Sequence, residues 1–332
     1  SVMLASRRCL SGQRCTPSIS FRHSPSAFPP PAVLHPTGPL QPVADSSVPL
    51  AGWLTGRCGI GTLTAVDRPI GMFDSGFGGL TVARAAIDIL PTEDVVYIGD
   101  TGRYPYGSKP LRDVRGFARE LAHSLVEDYG AKAIVVACNT ATAAGLDDLR
   151  AELDVPVIDV IRPGVSALVQ TTLTGRVGVI GTVGTVSSGA YVQAIAATGA
   201  PVILTSAACP GFVEFVERGQ TVGDEVTVLA ERLLAPIRDA DVDALLLGCT
   251  HYPFLARTIG DVMGNGVTLV SSADETAFAL KQTLGDLGLL RAIDRPGNHR
   301  FVSSGDIDVF RELGCQLLGP ELDRTESWPP PW

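Results

Sequence analysis

The chain has 332 residues and a formal charge of −9, from 26 Lys and Arg against 35 Asp and Glu. That balance argues against nucleic acid or an anionic membrane as its main partner, because those surfaces reward clustered basic side chains. The length suits roughly two domains, and no uncharged apolar run approaches the ~18 residues of a spanning helix.

Residues 1–67 stand apart: Pro-, Ser- and Arg-rich, without a hydrophobic period, and with Asp45 and Asp67 as their only acids. They are read as a disordered extension. An organelle transit peptide is the alternative that its composition suggests, although prolines interrupt any amphipathic helix; an over-long start assignment is another. From residue 68 onward short β-branched runs alternate with amphipathic stretches. The spacing predicts strands over 70–73, 95–99, 134–137, 155–160, 177–181, 202–205, 244–247, 267–270 and 300–302, with helices over 111–129 and 222–240 between them. Such alternation means βαβ units and parallel sheets covered by helices. Nine strands point to an α/β fold of two similar doubly wound parallel-sheet domains with the site at their interface. The expected division is 68–162 plus 274–318 for the first domain, 163–273 for the second, and a tail at 319–332.

Ligands in such folds collect at the carboxyl ends of strands. There the sequence puts Asp74-Ser75, Cys138-Asn139-Thr140, and Cys249-Thr250-His251. A thiolate is a competent base and a thiol a competent acid once local dipoles tune them. Two cysteines in matching strand-end contexts, Cys138 and Cys249, are therefore read as an acid/base pair, against the plain alternative of buried space-filling thiols. Cys209, followed by Pro210 and Gly211, is read as structural. Seven cysteines with no C-x-x-C pair fit free thiols in a reducing cytosol. Neither zinc-ligand spacing nor a lysine placed to anchor pyridoxal phosphate is evident, so no metal or cofactor is expected.

Asp74 is cast as a group that binds an ammonium or assists a neighbouring thiol, the alternative being an Asx-turn. The turn at Tyr106-Gly107 offers a hydroxyl and an amide to a carboxylate, or is an ordinary β-turn. His251 can poise Cys249, or be a satisfied structural histidine; Glu217 defaults to a solvated helix face.

Six strings, IGMFDSGFGGLTV, GDTGRYPYG, VVACNTATA, VGVIGTVGTVSSGAY, ACPGFVEFVERG and LLLGCTHYP, occur in the order and with the spacing of the glutamate racemase family. The chain resembles that family over residues 69–315; Gly102, Tyr104 and Ser108 depart from the pattern. The resemblance implies a cofactor-independent isomerase of two α/β domains that makes D-glutamate for peptidoglycan in the cytoplasm, with family members often dimeric. It implies Cys138 and Cys249 as catalytic cysteines, Asp74 and Glu217 as auxiliary acids, and His251 as the histidine beside the second cysteine. Implied substrate contacts are Asp74, Ser75, Tyr106, Gly107, Asn139, Thr140, Thr250 and His251, with Thr182 and Thr185 lining the same pocket. Rival readings are an aspartate or hydantoin racemase, an amino-acid-binding protein that closes two lobes on its ligand, and a redox thiol protein.

Overall fold

The computed structural model describes residues 64–317, 319, 322 and 325–328. The expectation for residues 1–67 lies outside the described residues up to position 63; Ala65–Asp67 form one 3-10 turn. In chain order the first elements are β1 (Ile70–Asp74), α1 (Leu80–Ile89), β2 (Val95–Gly99), α2 (Leu111–Glu127), β3 (Ala133–Val136), α3 (Asn139–Glu152), β4 (Val157–Asp159) and α4 (Ile161–Thr171). The middle of the chain forms β5 (Arg176–Gly181), α5 (Val183–Ser187), α6 (Ala190–Thr198), β6 (Ile203–Ala208), α7 (Phe212–Glu217), α8 (Asp224–Asp239), β7 (Ala244–Gly248), α9 (Ala256–Met263) and β8 (Thr268–Val270). Then come α10 (Ala273–Asp286), β9 (His299–Ser303), α11 (Ile307–Leu317) and β10 (Thr325–Ser327).

The strands make two parallel sheets, ordered β10-β9-β2-β1-β3-β4 and β6-β5-β7-β8. Each sheet is buried on both faces, because alternate side chains of one strand feed opposite cores. Ile70 and Met72 of β1 join one apolar cluster and Phe73 the other; Leu245 and Leu247 of β7 join one and Ala244 and Leu246 the other. The chain leaves the six-stranded sheet through α4 and returns to it through α10, and those two helices pack together.

All nine expected strands form, 95–99 with the expected ends and the others with shifted ends. The stretch 155–160 shortens to Val157–Asp159 because Pro156 has no N–H to give a ladder. The stretch 202–205 runs on to Ala208, since its whole length pairs with β5. A tenth strand, β10, pairs with β9 inside the segment expected to be a tail; three polar residues, Thr-Glu-Ser, carry no period-2 signal.

Candidate active site

Register decides which residues meet. Asp74 of β1 lies beside Gly99 of β2, and Phe73 beside Val136 of β3, so the loops carrying Asp74-Ser75 and Cys138 leave the sheet at one level. In the other sheet Gly181 lies beside both Gly248 and Ala208, which brings Thr182, Cys249 and Cys209 level. Successive strands of the first sheet build outward from β1 and then reverse to β3; those of the second build outward from β5 and reverse to β7. Where winding reverses, the helices leave on opposite faces and a crevice opens at the carboxyl ends. Asp74, Ser75 and Cys138 belong to the first crevice, Thr182 and Cys249 to the second.

At the first crevice Asp74 is fully buried and its Oδ2 accepts from the Gly79 amide at 2.7 Å. Cys138, at the N-terminus of α3, donates Sγ–H to the Ser75 hydroxyl at 3.9 Å. Burial first, and then the Asp74 carboxylate, push the Cys138 thiol well above its ordinary value, while the Ala141 and Ser75 amides pull the other way. In this setting it is held as a thiol.

At the second crevice the Cys249 sulfur lies 3.9 Å from His251 Nδ1, and His251 Nε2 lies 3.2 Å from Glu217 Oε1. Burial opposes protonation of His251, but its bonds to Cys249 and Glu217 outweigh that and raise its pKa to about 10. Near neutrality it is an imidazolium beside the sulfur. Glu217 closes α7 with its side chain only 14% exposed, so it faces His251 and not open solvent. Cys209 is buried, its carbonyl accepts from the Tyr252 hydroxyl at 3.0 Å, and burial raises its thiol to about 12.

The two crevices touch. Thr140 Oγ1 lies 3.0 Å from Thr182 Oγ1 and 3.2 Å from Thr185 Oγ1, and the latter two are 2.9 Å apart. Gly107 abuts Thr182 so closely that an added Cβ would stand 2.7 Å from the threonine side chain. A Cβ on Gly78, in the β1–α1 loop, would stand 2.4 Å from both His251 Nδ1 and Thr250 Oγ1. Asn139 Nδ2 donates to the Tyr191 hydroxyl at 2.7 Å. Loops from both sheets thus form one polar centre.

Of the residues singled out in the sequence, Asp74, Ser75, Cys138, Asn139, Thr140, Thr182, Thr185, Cys249, Thr250, His251 and Glu217 are drawn into this centre. Tyr106 differs from expectation in its hydroxyl, which donates to Asp100 inside the first lobe; it is the neighbouring Gly107 backbone that meets Thr182. Tyr191 closes the string VGVIGTVGTVSSGAY but is assigned no role from the sequence, because a lone tyrosine early in an apolar helix gives no local sign of its partner. Gly78 shows its importance only in three dimensions.

Both sulfurs are buried, the cysteines being 4% and 6% exposed. Two cavities border residues of this centre, though neither is lined by Cys138 or Cys249: one of about 240 Å³ beside His251, Glu217 and Phe77, and one of about 60 Å³ beside Gly107, Thr182 and Cys209. Among the described residues no group of three or more His, Cys, Asp or Glu is arranged to hold a metal ion, and no helix is long and apolar enough to cross a membrane.

Known proteins resemble this chain in sequence and fold. A family model described as Asp/Glu/Hydantoin racemase matches residues 81–280. A glutamate racemase of Parafrankia sp. (strain EAN1pec) is 53% identical over 262 residues, spanning 79% of this chain and 94% of that protein. A solved glutamate racemase isoform from Bacillus anthracis superposes with a TM-score of 0.76 at 40% identity, covering 80% of this chain and 98% of its own. The glutamate racemase of Francisella tularensis subsp. tularensis SCHU S4, solved in complex with D-glutamate, gives 0.74 at 35% identity, over 80% of this chain and 98% of its own. On sequence and architecture together, the chain belongs to the glutamate racemases, within the Asp/Glu/hydantoin racemase family of isomerases.

Proposed function

We propose that the chain interconverts L- and D-glutamate by a two-base proton transfer between Cys138 and Cys249, with no cofactor. One thiolate takes the α-proton onto sulfur. The other thiol gives its proton to the opposite face of the carbanion, and the two exchange roles with the direction of reaction. The observation that carries this reading is the pairing of two buried thiols in unlike settings, one beside Asp74 and one beside the His251–Glu217 pair.

The electrostatics divide the resting roles. Burial, with Asp74, favours the thiol form of Cys138, ready as the acid, while His251 stands beside Cys249 as a positive neighbour. Glu217 in turn holds His251 in its charged form. A Cα–H bond is a weak acid and no electron sink is attached to it, so the developing negative charge must meet preorganised donors in a site closed to water. Thr140, Thr182, Thr185 and Thr250, with the Gly107 amide, are the donors we assign to the substrate carboxylates; Asp74, Ser75 and Asn139 are assigned to the ammonium end. With both sulfurs so deeply buried, an amino acid enters only when the two sets of loops part. We read the lobes as 68–162 with 274–318, and 163–273, the crossings between them running through α4 and α10. The D-glutamate is proposed to feed peptidoglycan synthesis in the cytoplasm, a reducing compartment in which two free thiols persist.

The test is α-proton exchange by the purified chain in deuterium oxide, with each glutamate enantiomer in turn. Product labelled at Cα from both enantiomers is expected. Unlabelled product would point to one base returning the same proton.

A further inference from the structure

The side chain of Asn139 is tied down by one end only. Its Nδ2 donates to the Tyr191 hydroxyl at 2.7 Å, while its Oδ1 is buried and has no hydrogen-bond partner among the described residues. A buried acceptor left open is costly unless something else fills it. The amide could exchange its two ends by rotating half a turn, and would then point two N–H donors where Oδ1 now stands.

Tyr191 holds the amide by its nitrogen end, and its position explains how. It lies at the start of α6, in the lobe of the second sheet, whereas Asn139 opens α3 in the lobe of the first. The space its ring fills exists because residue 248 is glycine: an added Cβ would come within 2.9 Å of the ring and 3.0 Å of the hydroxyl. One tyrosine therefore rests on the residue before Cys249 and bonds the residue after Cys138. Burial raises its phenol above the ordinary value, as does Cys249, so it stays a neutral hydroxyl throughout the working range.

We infer that Tyr191 is a positioning residue whose hydroxyl takes up the Asn139 Nδ2–H, leaving Oδ1 presented as an acceptor for the α-ammonium group of the substrate. This rests on the racemase reading above and adds to it a source of selectivity. An ammonium group can only donate, so the acceptor presented there, with its nitrogen end supported by Tyr191, favours an amino acid over a dicarboxylate that has no amine.

Tyr191→Phe keeps the ring and removes the hydroxyl. The expected result is a rise of about tenfold in KM for both glutamate enantiomers with kcat changed less than about threefold, the mark of a lost ground-state contact to a charged group. Inhibition by glutarate, which has both carboxylates and no amine, should change by less than about twofold. A general loosening of the site would weaken both ligands alike. Adding Tyr191→Phe to Asn139→Ala should cost nothing beyond Asn139→Ala alone. The assignment is overturned by an unchanged KM for glutamate, by an equal loss of glutarate inhibition, or by a full tyrosine effect in the Asn139→Ala background. Asn139→Ala by itself, with Tyr191 intact, must show the same contrast between glutamate and glutarate. Dissociation constants are measured alongside KM, so failure of the two-thiol reading, seen as near wild-type turnover by Cys138→Ser, remains distinct from failure of the Tyr191 assignment.

Discussion

Cys138 shares its end of the first sheet with an acid, Asp74, whereas Cys249 shares its end of the second with His251, a base whose pKa its bonds to Cys249 and Glu217 raise. The local sequence grammar is the same in both: an uncharged apolar strand, a cysteine, then polar residues at a helix or 3-10 start. The partners differ in sign. A site of two identical thiols would leave both protonated or both ionised to the same degree, and neither state can take one proton while giving another. In the proposed mechanism opposite neighbours supply the difference: burial and Asp74 raise the Cys138 thiol, while Cys249 has a charged imidazole beside it.

The most severe way to break the comparison is to remove either sulfur. Cys138→Ser and Cys249→Ser should each lower racemisation by about 10³-fold or more, because positioned acid–base groups contribute about 10²–10⁴-fold and a serine hydroxyl is far too weak an acid to replace a thiol in either role. Both effects should be of similar size despite the unlike neighbours. Near wild-type turnover in either variant would remove that cysteine from the mechanism.

A less drastic change sets the lobes slightly apart. Gly78→Ala drives a Cβ to 2.4 Å from His251 Nδ1 and Thr250 Oγ1, so either the loop or the histidine must move. A displacement of that order should lower kcat/KM by about tenfold to a hundredfold. Gly76→Ala, two residues earlier, is the control. Its nearest neighbour would be a Tyr104 ring carbon at 3.4 Å, an ordinary contact, and activity should stay within about threefold. Equal effects at the two glycines would mean that the loop, and not its approach to His251, is what matters.

How the pair is poised can be read from pH. His251 titrates near 10 in the folded chain against 6.5 for an ordinary histidine. A raised pKa of this kind contributes stability that is whole below about pH 6.5 and is lost as pH climbs through about 10; activity that depends on the imidazolium should fall over the same upper limb. His251→Asn should remove that limb and lower kcat by about tenfold, while the behaviour at the Cys138 end is unchanged. A limb that survives the substitution belongs to another group.

The sequence made much of this legible. Parallel strands buried on both faces write continuous apolar runs, as in 244–247, so strands and their chemistry-bearing last residues stand out without a structure. What it could not show depends on long-range contact. Glu217 lies on a short helix whose pattern reads as surface, and only its approach to His251, 34 positions away, gives it a partner. The Tyr106 hydroxyl looked available because nothing local reveals that Asp100 accepts from it. Strand β10 is three polar residues that pair only because β9 has an open edge.

That last strand leads to the mildest change, at the edge of the first sheet, in the apolar cluster that also holds Cys138. Trp328, just after β10, donates its backbone N–H to the Ser303 carbonyl at 2.7 Å and its indole N–H to the Ser124 hydroxyl at 3.0 Å. Its ring lies 5.5 Å from the Arg103 guanidinium, which Phe117 faces at 4.5 Å. Arg103 bonds Asp100 at 2.7 Å, and Asp100 accepts from Tyr106, next to the Gly107 that meets Thr182. The segment at 325–328 thus braces a wall of the first crevice through a part-buried cation and a buried carboxylate. Trp328→Ala should raise KM by about threefold through lost cation–π and packing contacts of about 1 kcal/mol, with kcat and the pH profile preserved, and Trp328→Phe should restore most of the loss. Because the brace acts on the position of the turn and not on either thiol, a fall in kcat without a change in KM would show that the turn is held by other means and that Trp328 influences the sulfurs by a different route.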